Sequence, residues 1–586
     1  MAYTIDHVEI LPMPESSVVG VDIETSRSYG KDSDPHRDSV LSIQVSDGYR
    51  AWITTSMDHM ASIVPILESP HITKIIHNAN FDLQFLMHQF GAKPDKRTIW
   101  DSLVVERVLN MGRDVSNGLD DVASRRLGVT LNKEVRETFS HHTGPFTEEQ
   151  IRYSVEDVVY LPRIMELQQE DVSRMQLGRV VALENRIVPA VARMSLSGVR
   201  FDNDLWQEYI PQIRDMLTSL EKEISDYAGL SEQFTLFGDS RILLNLNSSD
   251  QVINLLSSKG IVLKKKDKLT SDRKVMAEFL ADHPNHKHAD LLRTIIEWRQ
   301  WSHTLSTNYL KYVNPATGLI HSIWNQLRAD TGRFGSSRPN LQNVERPVEG
   351  KPNLRRMFLP PPGFAYIDED YRQQEPRIFA QISGDENMRQ ACQELDVYPA
   401  FGARMSTNPT RHKVKTGFLA HLYGASDDTL ANTLNTSLED AKLFAREIDA
   451  EFTTAKRFGV RNLDAAKNNG FTRTLLGRIR YYPEIEERKK LNNRTINEIA
   501  NAPIQGSGAD MLKIALDKID TMLEEGGYEA WPTLAIHDEL VLTCRQDQAE
   551  EVMEKMTQCM EAAGAELCPD VRTPVEGHIM ERWDKA

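Results

Sequence analysis

The chain has 586 residues, a formal net charge of −16 and four cysteines (Cys392, Cys544, Cys559, Cys568) with no CxxC spacing. No apolar run reaches the ~18 residues a membrane span needs, and the cysteine pattern offers neither a zinc module nor a disulfide framework. A chain of this length exceeds one hydrophobic core and divides into several domains.

The first seven residues, MAYTIDH, lack the basic start and apolar stretch of a signal peptide, so a reducing cytoplasm is expected. The negative charge does not decide for or against a nucleic-acid ligand, because phosphate binding depends on local fields. Basic runs occur at Lys264-Lys265-Lys266, Arg355-Arg356 and Arg488-Lys489-Lys490.

In chain order, residues 1–175 read as α/β. Segments 18–24, 40–45 and 74–77 have the apolar, β-branched character of buried strands. Helical periodicity follows at 81–90 and 100–109. From about residue 176 the pattern is helical, through 194 and again over 288–313, with a Lys-rich exposed tip at 264–268. Strands return after Asn314-Pro315, and Pro360-Pro361-Pro362-Gly363 precedes another at 364–368. Residues 386–500 are mostly helical, and 533–543 is strand-like again.

Chemistry enters first at Asp22 and Glu24. Residues two apart on a strand share a face, so both carboxylates project together. They repel unless a cation joins them, and hard Mg²⁺ takes oxygen ligands. Asn78-Ala79-Asn80-Phe81-Asp82 sets Asp82 at a helix start, and Tyr153 and Asp157 lie one helical turn apart. Further on, the segment from Tyr366 to Arg377 holds a strand that ends in carboxylates. Residues 535–541 read as a second apolar strand interrupted by His537, Asp538 and Glu539. Unpaired buried charge is costly, and acids on neighbouring strands are what two-metal phosphoryl transfer requires. Between them Arg411, Lys415, Leu419 and Tyr423 recur every fourth residue, so one helix presents them in a row and Gly424 can close it.

The order DxE, NxxxD, YxxxD resembles the DEDD-type proofreading exonucleases. The segments DYxQxExR (370–377), RxxxKxxx[F/Y]xxxYG (411–424) and HDE (537–539) resemble the family A DNA polymerases. Thr331-Gly332-Arg333, Pro339 to Asn343, Thr474 to Arg478 and Asn501 to Gly506 match that family too. The likeness runs from about residue 15 to the C-terminus. It implies a ribonuclease H-like 3′–5′ exonuclease domain at 1–175, followed by a right-hand polymerase. There the thumb and start of the palm occupy 176–320, palm 321–385, fingers 386–500 and the rest of the palm 501–586.

The same resemblance implies two Mg²⁺ per site, with Mn²⁺ as a substitute. Asp22, Glu24, Asp82 and Asp157 hold one pair, Tyr153 orients the attacking water and Asn78 contacts DNA. Asp370 and Asp538 hold the other pair, with Glu539 beside them. Arg411 and Lys415 grip the triphosphate, Lys415 as proton donor to pyrophosphate. Tyr423, Leu419, Gln374 and His537 face the nucleotide, and Glu375 is the steric gate against a ribose 2′-OH. Arg333 and Gln505 read minor-groove acceptors, and Arg355, Asn501 and His537 meet backbone or primer terminus. Leu419 departs from the family's usual aromatic residue, and Tyr398 stands where His is common.

The expected partners are primer–template DNA, dNTPs and replisome proteins (helicase, primase, single-strand binding protein), acting with a monomer. The short N-terminus has a phage-like look and leaves no room for a 5′ nuclease. A phosphate-loop NTPase is set aside because no GxxxxGK[S/T] occurs. A single-subunit RNA polymerase shares the palm logic but fits poorly with Glu375 and an attached exonuclease. The alternative reading is an exonuclease whose polymerase-like region serves only as a DNA-binding platform.

Overall fold

The computed structural model describes all residues except 1–2, 28–32, 133, 141–143, 230–232, 235–239, 242–243, 266–267, 284–285, 488–489 and 585–586. Parts of the basic runs at 264–268 and 488–490 therefore lie outside the described residues. Among the described residues no helix is long and apolar enough to cross a membrane, and all four cysteines are free thiols.

The first unit is a six-stranded mixed sheet made of β1 (Thr4–His7), β2 (Val18–Thr25), β3 (Val40–Ser46), β4 (Arg50–Thr54), β5 (Thr73–Ile76) and β6 (Ile99–Asp101), in the order β1-β4-β3-β2-β5-β6. β2 runs antiparallel to β3 and parallel to β5. Val19, Val21 and Ile23 are buried, whereas Asp22 and Glu24 are only half-buried. This is the alternation expected of a strand with one face turned to a cleft.

Helix α1 (Ala79–Phe90) follows β5 and helix α2 (Glu148–Val159) packs across the sheet. A capping box starts α2: the Thr147 hydroxyl accepts from the Gln150 N–H, and the Gln150 side chain accepts from the Thr147 N–H. A Cβ at Gly20 of β2 would stand 2.4 Å from the Val158 carbonyl, so only glycine lets α2 approach this closely.

One expected helix starts later than its periodicity suggests. Residues 99–101 form β6, parallel to β5, and the helix spans Ser102–Leu109. Asp101 explains the switch, because its carboxylate accepts from the N–H groups of Leu103 and Val104 and so caps the helix.

Long helices Asn203–Ala228 and Ala289–Thr307 follow. The second major sheet contains β7 (Phe364–Tyr371), β8 (Ala530–Ile536), β9 (Glu539–Arg545) and β10 (Val575–Met580), in the order β8-β9-β7-β10. The segment 535–541 is thus not one interrupted strand. β8 and β9 form a hairpin closed by Ile536 opposite Glu539, with His537 and Asp538 as its two-residue turn. His537 has φ +58, the left-handed start that such turns demand. His537 and Asp538 lie there because the turn leaves the sheet, whereas Glu539 is a buried acid within β9.

Helix α3 (Gln374–Ser383) leaves β7 through Gln373, at φ +48. Helix α4 (Arg411–Leu422) belongs to the helical region between the two halves of the sheet, and helix α5 (Asn493–Gly526) returns the chain to it. The first unit shares a hydrophobic core with the rest, where α1 packs on the helix Val188–Ser197, and polar contacts add to it. Lys96 pairs with Asp517 at 2.9 Å, Tyr481 N–H donates to the Met111 carbonyl at 2.8 Å, and Arg113 lies over the Tyr481 ring at 3.5 Å.

Candidate active sites

Asp22, Glu24 and Asp157 each offer a carboxylate oxygen within 4.8 Å of the other two. Strand β2 supplies the first two and α2 the third. Asp82, from the first turn of α1, is buried beneath them and accepts from the Ile23 N–H at 3.2 Å. Burial pushes the Asp82 carboxyl well above its usual range, and the nearby Asp101 and Asp157 add to this. An all-oxygen, all-carboxylate cluster is the donor set of a hard divalent cation, which removes the mutual repulsion.

Asn78 holds a left-handed conformation at the entrance to α1. Asp101 fixes it there, accepting from Asn78 N–H at 3.0 Å and Ala79 N–H at 2.8 Å. This fully buried carboxylate thus aims the start of α1, and sequence reasoning passed over it.

The trio opens into a cleft of about 1150 Å³, which Asn78, Asp82 and Tyr153 also line. Its far wall comes from outside the first unit: Lys311, Tyr312, Asn314, Trp324, Asn325 and Arg338. Asn80 donates to the Trp324 carbonyl at 2.8 Å, Arg107 to Asn325 Oδ1 at 3.2 Å, and Asn314 to Asp34 Oδ2 at 2.7 Å. No local sequence pattern marks these partners.

The second cluster forms where β7 meets the β8–β9 turn. Asp370 is opposite Glu539 in the ladder, and the Tyr371 N–H donates to the Asp538 carbonyl at 3.3 Å. Burial, and then the neighbouring Asp370, push the Asp538 carboxyl up to about 7. These groups again suit a divalent cation. Arg377, in the first turn of α3, ties the β7–α3 turn to residues 392–395 and 572. Its guanidinium is buried and donates to the carbonyls of Arg372, Cys392, Glu394, Leu395 and Arg572 at 2.6–2.9 Å.

Glu375 bridges two elements, accepting from Arg333 Nη2 at 3.0 Å and from the Tyr423 hydroxyl at 3.4 Å. Burial and Glu375 together raise the Tyr423 hydroxyl well above its ordinary value. On α4, Arg411 and Lys415 are exposed and Leu419 is half-buried against the core. Arg411 pairs with Asp396 and lies over the Tyr398 ring at 5.7 Å. Asn501 and Gln505 share a smaller cleft with Asn497 and Arg494.

Two of the expected ligand contacts are interior. Arg355 is buried with its guanidinium over Trp583 at 4.5 Å, and Gln374 is buried with its amide donating to the Gly508 carbonyl at 3.4 Å.

Two acidic sites on one chain, one on a mixed sheet and one at an antiparallel hairpin beside an Arg/Lys helix, define an exonuclease-plus-polymerase architecture. The model of "3'-5' exonuclease" matches residues 5–170 and that of "DNA polymerase family A" residues 203–585. The chain belongs to DNA polymerase family A, with an exonuclease-family domain ahead of the polymerase region.

It is 27% identical to DNA polymerase I of Pseudomonas aeruginosa, over 98% of this chain and 64% of that protein. It is 30% identical to the thermostable DNA polymerase I of Thermus aquaticus, over 68% of this chain and 48% of the other. The chain thus spans roughly half to two thirds of the length of these relatives. Among solved structures, the POL domain of Pol1 from M. smegmatis, in complex with DNA primer-template and dNTP, superposes with a TM-score of 0.77. That match covers 97% of this chain and 95% of the other at 22% identity, and it establishes a shared fold. Family A polymerase and exonuclease domains are metal-dependent, in keeping with the Asp22–Glu24–Asp157 cluster.

Proposed function

We propose that this chain synthesises DNA on a template from a primer 3′-OH and dNTPs, and removes misincorporated 3′ nucleotides at a second site. The observation that carries the reading is the pairing of two separate acidic centres: Asp22–Glu24–Asp157, whose carboxylate oxygens lie within 4.8 Å of one another, and Asp370–Asp538, where burial and the neighbouring Asp370 raise the Asp538 carboxyl. Mg²⁺, replaceable by Mn²⁺, supplies nucleophile activation and charge neutralisation at each centre when bound.

Asp370 and Asp538 hold the ions of the polymerase centre, with Glu539 beside them. Arg411 and Lys415 bind the triphosphate, and Lys415 Nζ gives its proton to the departing pyrophosphate. The Arg411–Asp396 pair is open to solvent, so an incoming polyanion can take over the guanidinium. Tyr423, Leu419, Gln374 and His537 shape the nucleotide pocket. Glu375, fixed by Arg333 and Tyr423, packs where a ribose 2′-OH would fall. Arg333 and Gln505 probe acceptors common to correct pairs, Asn501 and His537 face the primer end, and Arg355 acts on that end from the interior, where it is buried over Trp583. At the exonuclease centre Asp22, Glu24, Asp82 and Asp157 hold the ions, Tyr153 orients the attacking water and Asn78 meets the strand.

The division into 1–175, 176–320, 321–385, 386–500 and 501–586 follows this assignment. The proposed partners are primer–template DNA and dNTPs, with helicase, primase and single-strand binding protein in a replisome. The chain is proposed to work as a monomer in the cytoplasm. Incubating it with a labelled primer–template and dNTPs, rNTPs or no nucleotide tests the reading. Elongation to the template end with dNTPs, weak elongation with rNTPs and 3′ shortening without nucleotide are expected. Shortening in all three tubes would instead support the platform reading.

A further inference from the structure

Four charged side chains are fully buried where the helix Gly178–Arg186, the hairpin Phe471–Arg473/Ile479–Tyr481 and α5 meet. Glu184 accepts from Lys513 Nζ at 2.6 Å and from Arg478, and Gln326 Nε2 donates to its Oε2 at 2.6 Å. Arg478 Nε also donates to Asp510 Oδ1 at 2.8 Å, and the Thr474 hydroxyl donates to Asp510 Oδ2 at 2.6 Å. Two acids balance two bases. Burial favours a neutral Glu184, but Lys513 and Arg478 outweigh it and hold the carboxyl below its ordinary range.

What lies on top of this cluster is the segment carrying Arg333. Gly332, at φ +82, leaves so little room that a Cβ there would stand 3.0 Å from Arg478 Nε. On the other side of Arg333, the Phe334 ring faces Lys513 Nζ at 5.4 Å. The residues flanking Arg333 therefore rest on the two cations that Glu184 draws together. The same cluster is tied to the turn of α5 that carries Gln505, because Ser507 Oγ accepts from the Leu475 N–H at 2.9 Å.

We propose that Glu184 is a positioning residue for DNA synthesis. By gathering Arg478 and Lys513 beneath Gly332 and Phe334, it sets the Arg333 guanidinium between Glu375 and the primer terminus. Glu184 precedes the polymerase-family match and follows the exonuclease-family match, so it acts from the junction of the two regions. A buried ion cluster contributes little net stability, and removing one member leaves a charge uncompensated. Glu184→Gln keeps the shape and leaves two cations facing one acid. The support under Arg333 then shifts, while the exonuclease acids are untouched.

This assignment rests on the synthetic activity proposed above, so the experiment is a double-mutant cycle that begins from the parent chain. Single-turnover insertion of a correct dNTP is measured for the parent, Glu184→Gln, Arg333→Ala and the double variant, all carrying Asp22→Ala and Glu24→Ala. Glu184→Gln is expected to slow insertion about tenfold alone and less than twofold once Arg333 is absent, the non-additivity of residues acting as one unit. Glu184→Asp, which keeps the charge but draws it back by one methylene, is expected to lie between parent and Gln variant. It carries the same cycle if the Gln variant fails to fold. In chains with the exonuclease acids intact, release of 3′ nucleotides from single-stranded DNA is expected to stay within twofold. Equal losses in the presence and absence of Arg333 would overturn the positioning role. A parent chain that inserts no dNTP would instead overturn the synthetic activity itself.

Discussion

In the first sheet Asp22 and Glu24 stand two residues apart on one strand, and Asp157 reaches them from a helix packed on that same sheet. In the second sheet Asp370 and Asp538 arrive from segments far apart in the chain and meet only because β9 pairs with β7. The first site starts from a local pair, to which Asp82 and Asp157 are added by tertiary packing, and its wall is borrowed, since Trp324, Asn325 and Asn314 come from beyond the exonuclease region. The second has a non-local origin, joined by the β7–β9 ladder and by the Tyr371 N–H donating to the Asp538 carbonyl. A strand can present two acids by periodicity alone, whereas joining distant acids takes a ladder between the segments that carry them.

The largest effect separates the two sites outright. Asp370→Ala is expected to cut primer extension by more than about 10³-fold, since losing even one preorganised charge-stabilising group costs about 10²–10³. Single-stranded 3′ shortening should stay near the parent rate, measured on the same preparation. A parallel collapse of both activities in a folded variant would mean that the sites are not chemically independent.

Asp101→Asn sharpens the comparison from the other side. It replaces one of the oxygens that receive the Asn78, Ala79, Leu103 and Val104 N–H groups with an amide that cannot accept. The start of α1, and Asp82 with it, loses its anchor. Exonuclease turnover should fall about 10–100-fold, the usual cost of losing a group that orients metal ligands. Extension should hold within twofold. An unchanged exonuclease rate would show that Asp82 needs no such support.

Within the polymerase site, Glu375→Ala removes the partner of both Arg333 and Tyr423. The ratio of ribonucleotide to deoxyribonucleotide insertion should rise, because a clash discriminates more strongly than a lost contact. A constant ratio would clear Glu375 of the gate role. Leu419→Phe is the smallest change. Leu419 is half-buried against the core, and a flat ring there should raise dNTP insertion efficiency several-fold, to at most about tenfold. Lower efficiency would mean that the added ring overpacks α4.

These contrasts also explain what could be read from the residues alone. The strands at 18–24 and 40–45 and the helix at 411–422 follow from periodicity, and the acidic motifs stand out as charges inside apolar segments. Asp101 was hidden because β6 has only three residues and its neighbours continue a helical pattern, so the one available signal was an N-cap acid before Leu103. The hairpin at His537–Asp538 was hidden because a two-residue turn between apolar runs looks like an interruption. Glu184, Arg478 and Lys513 are single charges on separate elements, and only the packing of those elements brings them together. Arg355 and Gln374 were expected to face ligand from the family resemblance, yet their burial against Trp583 and Gly508 is a tertiary fact.

The central claim is that the second acidic site performs synthesis rather than serving as an inert platform. The direct measurement is extension of a labelled primer on a defined template by the Asp22→Ala/Glu24→Ala chain with Mg²⁺ and all four dNTPs. Templated elongation to the end of the strand, abolished by the further change Asp538→Ala, is the predicted result. A primer left at its original length by the folded Asp22→Ala/Glu24→Ala chain, while the unmodified chain still shortens it, would contradict the account.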